Sequence, residues 1–372
     1  MECDKMLTEF RVRNYRNFKD ELRFSLESEK NYEFHQNIVP NGVIKDSVVV
    51  GYNASGKTNL GRAMMDIINH LTDEKRENGL KVFYSNLYTP DDTVSFVYKF
   101  KFDNRILEYS YEKESVEYVQ QETIKIDGKK VIVNNTDTCY VCLKGSETLN
   151  LDNWDHSISL VKYVYANTIL DKKDLDCQIF IKFIKFVNQM LWFSSTEGLK
   201  AVGSVSNSGN LLEEICNLKD GVEKLEEFLQ EMNLPFKLVA KDKGEGKTIY
   251  CQMGDKEVLF SPLMSSGTKS LVFLFLWYMQ RENLSFVFID EFDAFYHTDL
   301  SIAVIQKLLL EEQIQVVFTS HNTDIVSNEL LRPDCYFILE DNSIKPFSSL
   351  TDKALREAHN LQKMYRAGAF HE

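Results

Sequence analysis

The chain has 372 residues, 44% of them hydrophobic and 27% charged, as in an ordinary globular protein with a sizeable core. Its net charge of −13 disfavours nucleic-acid binding, because that affinity comes largely from neutralising phosphates. No apolar run approaches the roughly 18 residues that a membrane span needs, and the charged N-terminus does not resemble a signal peptide. The seven scattered cysteines fit a reducing compartment. These features predict a cytoplasmic protein with no membrane partner, for which nucleic acid is a possible but not a favoured ligand.

Hydropathy patterns in the first part of the chain predict mainly sheet. Alternating apolar positions from Leu7 to Leu26 predict two antiparallel strands, and Ser47–Val50 predicts a short buried strand. The spacing of apolar residues from Leu60 to Leu71 predicts a helix. From Thr93 to Leu143 the period changes to two, which predicts an antiparallel region with a hairpin turn at Asp127-Gly128.

The second part of the chain predicts helices first and then an alternation of helices and strands. Ser157–Gln230 has mainly helical spacing, and sheet resumes over Phe236–Phe260. From Ser265 onward, helices alternate with the apolar strands Phe286–Ile289, Gln315–Thr319 and Cys335–Leu339. Such an alternation predicts an α/β fold with parallel strands and crossover connections.

Residues 51–58 read Gly-Tyr-Asn-Ala-Ser-Gly-Lys-Thr and match the P-loop pattern between a predicted strand and a predicted helix. Glycines allow the backbone to curl so that its N–H groups point at phosphate oxygens, and the start of the helix adds the positive end of its dipole. The pattern predicts that Lys57 contacts the β- and γ-phosphates and that the Thr58 hydroxyl ligates Mg²⁺. The predicted nucleotide-binding residues of this segment are Gly51, Asn53, Ala54, Ser55, Gly56, Lys57, Thr58 and Asn59.

An acidic pair, Asp290 and Glu291, follows the predicted strand Phe286–Ile289. It would lie at the carboxyl end of the strand, where ligands bind in open α/β sheets. We expect Asp290 to belong to the Mg²⁺ shell and Glu291 to polarise the attacking water as a general base. Adjacent acids can also be merely a polar strand end, but a P-loop pattern in the same chain favours the catalytic interpretation.

Two further segments are weak signals when each is taken alone. Ser265, Ser266 and Gly267 precede an apolar helix, which is also the pattern of an ordinary helix N-cap. His321 ends a predicted strand, where a histidine is usually only a satisfied polar group. Their order along the chain, with the P-loop pattern before them and the acidic pair between them, gives these segments weight.

In that order, the four segments resemble the motifs of the ABC ATPase superfamily. Met264–Lys269 is similar to a degraded ABC signature, and the resemblance implies that Ser265, Ser266 and Gly267 contact the γ-phosphate bound by a second copy. His321 falls where these ATPases have a switch histidine that hydrogen-bonds the γ-phosphate. The resemblance implies an ABC nucleotide-binding fold, ATP and Mg²⁺ as cofactors, and a head-to-tail homodimer or larger homo-oligomer.

Within this superfamily the chain resembles the soluble branch of SMC-like, RecF-like and overcoming-lysogenization-defect ATPases, and the last group most. The similarity is carried by Arg13–Lys19, by the Ser-Ser-Gly-Thr signature and by Leu361–Phe370. It implies that Arg16 is a candidate nucleotide contact. No heptad run predicts SMC-type arms, and too few residues follow His321 for the nuclease domain fused to many of these proteins.

The resemblance implies an ATPase that acts as the sensor or control subunit of a bacterial anti-phage system, of an abortive-infection or toxin–antitoxin-like kind. A separately encoded effector, such as a nuclease toxin, would be its partner. One alternative is a RecF-like DNA-repair ATPase that acts directly on DNA. Another is a nucleotide-gated scaffold that binds ATP and hardly turns it over.

The resemblance also implies four regions along the chain. Residues 1–92 would form the N-terminal part of the ATPase with the P-loop, 93–150 an antiparallel β subdomain, 151–260 a mainly helical insertion lobe, and 261–372 the C-terminal part with the other motifs. The glutamine of the Q-loop is not identified by any motif. Gln120 and Gln121 are candidates by position only.

Three other features have simpler interpretations. Gly244–Thr248 resembles a second P-loop but lacks its first glycine, and we expect a hairpin turn. Cys139 and Cys142 have metal-ligand spacing without a second pair to complete a tetrahedral site. Tyr15 or Phe18 could stack on adenine, although packing in the core explains them at least as well.

Overall fold

The computed structural model describes residues 5–28, 30–73, 83–196, 200–203, 210–244 and 246–370. Their strands form three sheets. The strands are β1 (Lys5–Arg13), β2 (Leu22–Ser25), β3 (Asp46–Val50), β4 (Val94–Phe102), β5 (Arg105–Lys113), β6 (Gln121–Ile126), β7 (Lys129–Asn134), β8 (Cys139–Val141), β9 (Met190–Ser194), β10 (Lys200–Gly203), β11 (Leu238–Lys243), β12 (Gly246–Met253), β13 (Lys256–Leu259), β14 (Phe286–Asp290), β15 (Gln315–Ser320), β16 (Tyr336–Glu340) and β17 (Ser343–Pro346).

Helices connect these strands and cover the sheets. They are α1 (Lys57–Met64), α2 (Ile68–Leu71), α3 (Leu160–Asn167), α4 (Leu175–Asn188), α5 (Leu211–Asn217), α6 (Gly221–Glu231), α7 (Ser266–Tyr278), α8 (Thr298–Leu309) and α9 (Leu361–Arg366). Within the described ranges, none of the helices is long and apolar enough to cross a membrane.

The first sheet is antiparallel, with seven strands in the order β2-β1-β4-β5-β6-β7-β8. In β4 every second residue is buried, because one face of the strand packs on the core. The predicted β1–β2 pair is confirmed, and so is the turn at Asp127-Gly128, whose φ values of 48° and 81° suit a hairpin. This sheet contains strands from both sides of residue 93, so it crosses the predicted boundary between the ranges 1–92 and 93–150. The four predicted domain ranges stay a prediction.

The second sheet, with the order β10-β9-β14-β15-β3-β16-β17, confirms the predicted α/β arrangement. Its five inner strands, β9, β14, β15, β3 and β16, run parallel. Strands β14, β15 and β3 are buried throughout, as expected for a sheet with both faces covered. In the register of these strands, Ile289 pairs with Phe318 and Ser320 pairs with Val50, so that the three carboxyl ends meet at one edge.

Two helical predictions were incomplete. Strand β9 interrupts the stretch predicted to be mainly helical, and it lies inside the parallel sheet beside β14. The predicted helix Leu60–Leu71 is two helices, α1 and α2, separated at Met65–Ile67. All residues from Ala63 to Ile68 are buried. A single straight helix would expose part of such a run, and the break allows all of it to face the core.

The third sheet contains β11, β12 and β13, all antiparallel. Lys243 pairs with Gly246 across the β11–β12 turn, which confirms that Gly244–Thr248 is a hairpin and not a second P-loop.

One buried side chain joins the antiparallel sheet to the parallel one. The Gln315 amide, at the start of β15, accepts a hydrogen bond from Leu7 N at 2.9 Å and donates to Leu7 O and Ile44 O, each at 2.9 Å. Gln315 is fully buried. Its amide therefore satisfies buried backbone groups of two other segments.

Candidate functional site

The glycine-rich loop at residues 51–56 connects the end of β3 to the start of α1. Its two glycines have little free space around them. A Cβ at Gly51 would lie 2.6 Å from Leu339 O, and one at Gly56 would lie 2.5 Å from Asn17 Nδ2. Gly56 also has a φ of 107° and Ala54 a φ of 65°, so the loop turns through left-handed conformations. The loop is thus a tight cradle that requires glycine at both positions.

Lys57 begins α1 and points its ammonium back into this loop. The Nζ atom donates to Gly51 O at 2.8 Å and to Tyr52 O at 3.0 Å, and the side chain is buried. Burial lowers the pKa of the ammonium, and the nearby carboxylates of Glu291 and Asp290 oppose that shift. The cation therefore lies inside the cradle and close to the acidic pair.

The acidic pair lies at the carboxyl end of β14. Asp290 is fully buried, and its Oδ1 accepts a hydrogen bond of 2.8 Å from Thr319 Oγ1. Glu291 is half-buried and has a φ of 47°, which turns the chain sharply after the strand. Its backbone N–H donates to the same Thr319 Oγ1 at 2.8 Å. One hydroxyl on the neighbouring strand thus contacts both acidic residues.

A third carboxylate, Asp293, follows the pair and is buried. Burial raises its pKa, and a hydrogen bond from Ser320 and the charge of His321 oppose that shift. The Ser320 Oγ donates to Asp293 Oδ2 at 2.6 Å. His321 is exposed at the end of β15. Because β15 lies between β14 and β3, His321 follows the strand that separates the acidic pair from the glycine-rich loop.

Ser265 and Ser266 are exposed at the start of α7. The Ser265 hydroxyl accepts from Thr268 N at 3.1 Å, which confirms the N-cap interpretation. A Cβ at Gly267 would lie 2.8 Å from Phe295 O, so α7 and the loop after the acidic pair approach closely there. The N-cap role of Ser265 is compatible with the signature interpretation of Ser265–Gly267. The contact of these residues with a second copy stays a prediction.

A surface groove lies on the other side of the glycine-rich loop. It is lined by Arg16, Asn17, Lys19, Asn59, Phe83, Ser85, Asn86, Leu87, Tyr88 and Asn342. Asn17 Oδ1 accepts from Asn59 Nδ2 at 2.6 Å, which ties the loop after β1 to helix α1. Two predicted nucleotide contacts, Arg16 and Asn59, therefore share this groove. Tyr15 and Phe18 are 2% and 0% exposed, so both pack in the core and the idea that either stacks on adenine was wrong.

The remaining candidates lie elsewhere. Gln121 begins β6 of the antiparallel sheet, with Gln120 just before it, and the Q-loop stays unidentified. Cys139 and Cys142 are free thiols at the edge strand β8. Sequence reasoning missed Thr319, because its position near the end of an apolar strand gives no sign that its hydroxyl contacts the acidic pair.

The residues present fit a nucleotide with Mg²⁺. The cradle presents backbone and a buried ammonium, and the oxygen donors nearby are the Asp290 carboxylate and the Thr58 hydroxyl at the start of α1. The described residues hold no cluster of three or more His, Cys, Asp or Glu that could bind a metal alone. Mg²⁺ is usually held by one or two carboxylates together with phosphate oxygens, a set that Asp290 and a bound nucleotide would supply.

Part of this site is similar to a known protein family. Residues 195–327 match the family described as "AAA domain, putative AbiEii toxin, Type IV TA system". The match includes Ser265–Gly267, the acidic pair and His321, and it begins after the glycine-rich loop. It supports an AAA-type ATPase over the residues that it covers. No curated protein sequence matches the chain.

Solved structures of SMC heads and of RecF are loosely similar to the chain. The SMC head domain from Thermotoga maritima has a TM-score of 0.44 at 15% identity, covering 93% of this chain and 99% of that chain. The recombination mediator protein RecF-ATPrS in the RecFOR pathway has a TM-score of 0.41 at 14% identity, again covering 93% and 99%. An SmcHead bound to the C-winged helix domain of ScpA has a TM-score of 0.45 at 11% identity, covering 91% and 96%.

Proposed function

We propose that this chain is an ABC-type ATPase that binds and hydrolyses ATP with Mg²⁺. The observation that carries the proposal is the position of the buried Lys57 ammonium, which lies inside a glycine cradle and close to the carboxylates of Asp290 and Glu291. The cradle and the acidic pair are separated by the single strand β15. Neighbouring strands lie about 4.8 Å apart, so the two halves of the site are about 10 Å apart. That gap has room for a terminal phosphate.

The chain's own residues divide the work of binding and hydrolysis. Lys57 exchanges its two backbone carbonyl partners for phosphate oxygens, while the N–H groups of the cradle and the start of α1 add further donors. Glu291 accepts a proton from the attacking water. His321, at the end of the intervening strand, donates to the terminal phosphate. Thr58 and Asp290 would hold Mg²⁺, which when bound offsets the charge that develops on the phosphates.

We further propose that two copies, arranged head to tail, complete each site. Ser265 is the N-cap of the 13-residue helix α7 and Ser266 is its first residue, and both are exposed. The start of this helix would therefore face a phosphate on a second copy with the Ser266 hydroxyl and the positive end of the helix dipole. Residue 267 is a glycine that packs against the loop after the acidic pair. Phosphate bound across the interface would therefore act directly on the loop that carries Glu291.

The biological role that we propose is control of a separate effector in an anti-phage system. Hydrolysis by itself does no useful chemistry, so the bound γ-phosphate must bias a conformational equilibrium that another molecule detects. A net charge of −13 makes a protein partner more plausible than a DNA duplex. The matched family's description, which includes a putative toxin and a toxin–antitoxin system, supports the same role.

Two measurements test these proposals. Phosphate release by the purified chain should depend on Mg²⁺ and fall about 100-fold or more in Glu291→Gln. If the wild-type chain keeps ATP bound without any turnover, the scaffold is favoured instead. Expression with the neighbouring genes, followed by purification through a tag on this chain, should recover a stable complex with an effector. Recovery of the ATPase alone, together with tight salt-dependent DNA binding, would replace the defence role with RecF-like repair.

A further inference from the structure

We propose that Thr319 is the positioning residue of the acidic pair and thereby sets the Mg²⁺ requirement of the site. The inference rests on the proposed nucleotide function. Thr319 would act on Mg²⁺ only through Asp290, and on the attacking water only through Glu291.

The hydrogen bonds of Thr319 assign its hydroxyl a definite orientation. A hydroxyl has one proton to donate and two lone pairs that accept. Glu291 N–H can only donate, so Thr319 Oγ1 accepts there at 2.8 Å. The hydroxyl proton is then directed to Asp290 Oδ1, also at 2.8 Å. Thr319 is fully buried, so water does not compete for either bond.

The two bonds of the Thr319 hydroxyl stabilise the strained backbone of Glu291 and the buried carboxylate of Asp290. A non-glycine residue in the left-handed region is strained, and Glu291 has a φ of 47°. The bond from its N–H to Thr319, together with one from Phe292 N to Thr319 O at 3.4 Å, stabilises that turn. The buried Asp290 carboxylate gains a donor that orients it.

The next residue of β15 provides a natural comparison. Consecutive residues of a strand point to opposite faces, and Ser320 Oγ donates to Asp293 Oδ2 at 2.6 Å. The loop after Asp290 therefore wraps around the end of β15 and contacts a hydroxyl on each side. Of these two hydroxyls, it is that of Thr319 that contacts the acidic pair. Ser320→Ala removes a buried hydroxyl–carboxylate bond as well, and is the matched control.

Loss of a hydrogen-bond partner behind a metal ligand typically weakens metal affinity 10- to 100-fold. Thr319→Val keeps the shape of the side chain and removes the hydroxyl, whereas Thr319→Ser keeps the hydroxyl. We therefore expect Thr319→Val to raise the Mg²⁺ concentration needed for half-maximal binding of ATP by about 10- to 100-fold. Its affinity for ATP without Mg²⁺ should stay at the wild-type value, since the cradle and Lys57 are unchanged.

The experiment is a set of titrations of a fluorescent ATP analogue at increasing Mg²⁺, carried out on the full-length chain and its variants. Thr319→Ser should restore the wild-type Mg²⁺ requirement, and Ser320→Ala should stay near it. Urea unfolding of each variant confirms that it is folded, and Thr319→Ala replaces the valine variant if that one does not fold.

The outcomes separate the two proposals. An unchanged Mg²⁺ requirement in Thr319→Val, or an equal increase in Ser320→Ala, would overturn the inference while the wild-type chain still binds ATP. A wild-type chain that binds no ATP analogue at any Mg²⁺ concentration would overturn the proposed function and the inference with it.

Discussion

Replacing Lys57 by alanine removes the cation of the glycine cradle. In the structure, the ammonium makes two hydrogen bonds to carbonyls of the loop, at 2.8 and 3.0 Å, and it is free to exchange them for phosphate oxygens. A hydrogen bond to a charged group is worth about 1.5–3 kcal/mol net. Each 1.4 kcal/mol is a factor of ten in affinity, so we expect Lys57→Ala to weaken ATP binding about 10- to 150-fold.

The same substitution should leave the chain folded. The alanine variant no longer buries an ammonium, which offsets the charge compensation that Asp290 and Glu291 lose. Burial lowers the pKa of this ammonium in the native state, which indicates that the folded chain gains little from carrying it there. The midpoint of urea unfolding should therefore shift little.

The assay is equilibrium binding of a labelled ATP, with Lys247→Ala as the control. Lys247 also stands in a Gly-Lys-Thr sequence, but it is exposed on the hairpin strand β12. The control should bind ATP as the wild-type chain does. Wild-type affinity in Lys57→Ala, or an equal loss in both variants, would refute the assignment of the cradle.

Three further predictions concern catalysis, the core and the loop. Glu291→Gln should slow hydrolysis about 100-fold or more and accumulate an ATP-dependent dimer, and an equal mass by light scattering with and without ATP would count against the composite site. Lys113→Met should lower the free energy of unfolding by about 3–5 kcal/mol, because Lys113 Nζ and Asp66 Oδ1 form a buried pair at 2.6 Å. Adding Asp66→Asn should recover part of that loss. A wild-type urea midpoint in Lys113→Met would contradict this prediction. Gly56→Ala should weaken ATP binding, since its Cβ would meet a neighbouring side chain, whereas Gly128→Ala, which has open space at a similar φ, should not; equal affinities in these two variants would argue against steric closure of the cradle.

The parts of the fold that follow from local pattern were predictable. The glycine cradle and the acidic pair each come directly after a short apolar strand, and parallel strands bring such ends to one edge. Strand β9 was missed because its five residues are all buried and follow helix α4 without a glycine or proline between them. An apolar run of that length cannot be distinguished from a buried helical turn by its period alone.

The break between α1 and α2 had no local signal either. Asp66, at the break, accepts hydrogen bonds from Tyr84, Tyr111 and Lys113, all of which come from later parts of the chain. A tertiary network thus determines where the helix stops. The role of Thr319 depends on how β15 is aligned with β14, and neither strand specifies that register by itself. The contact of Thr319 with the acidic pair could therefore be found only in the folded chain.

The Gln315 amide has a consequence for synthesis on the ribosome. It bonds to Leu7, 308 positions earlier in the chain, and the parallel sheet takes its strands from Asp46 to Pro346. Contacts of such long sequence separation form late and slowly. Strand β3 must therefore wait for nearly the whole chain to emerge before it acquires its neighbours β15 and β16. A nascent chain that has not reached Glu291 contains the cradle without the complete acidic pair, and so does a product truncated before that residue.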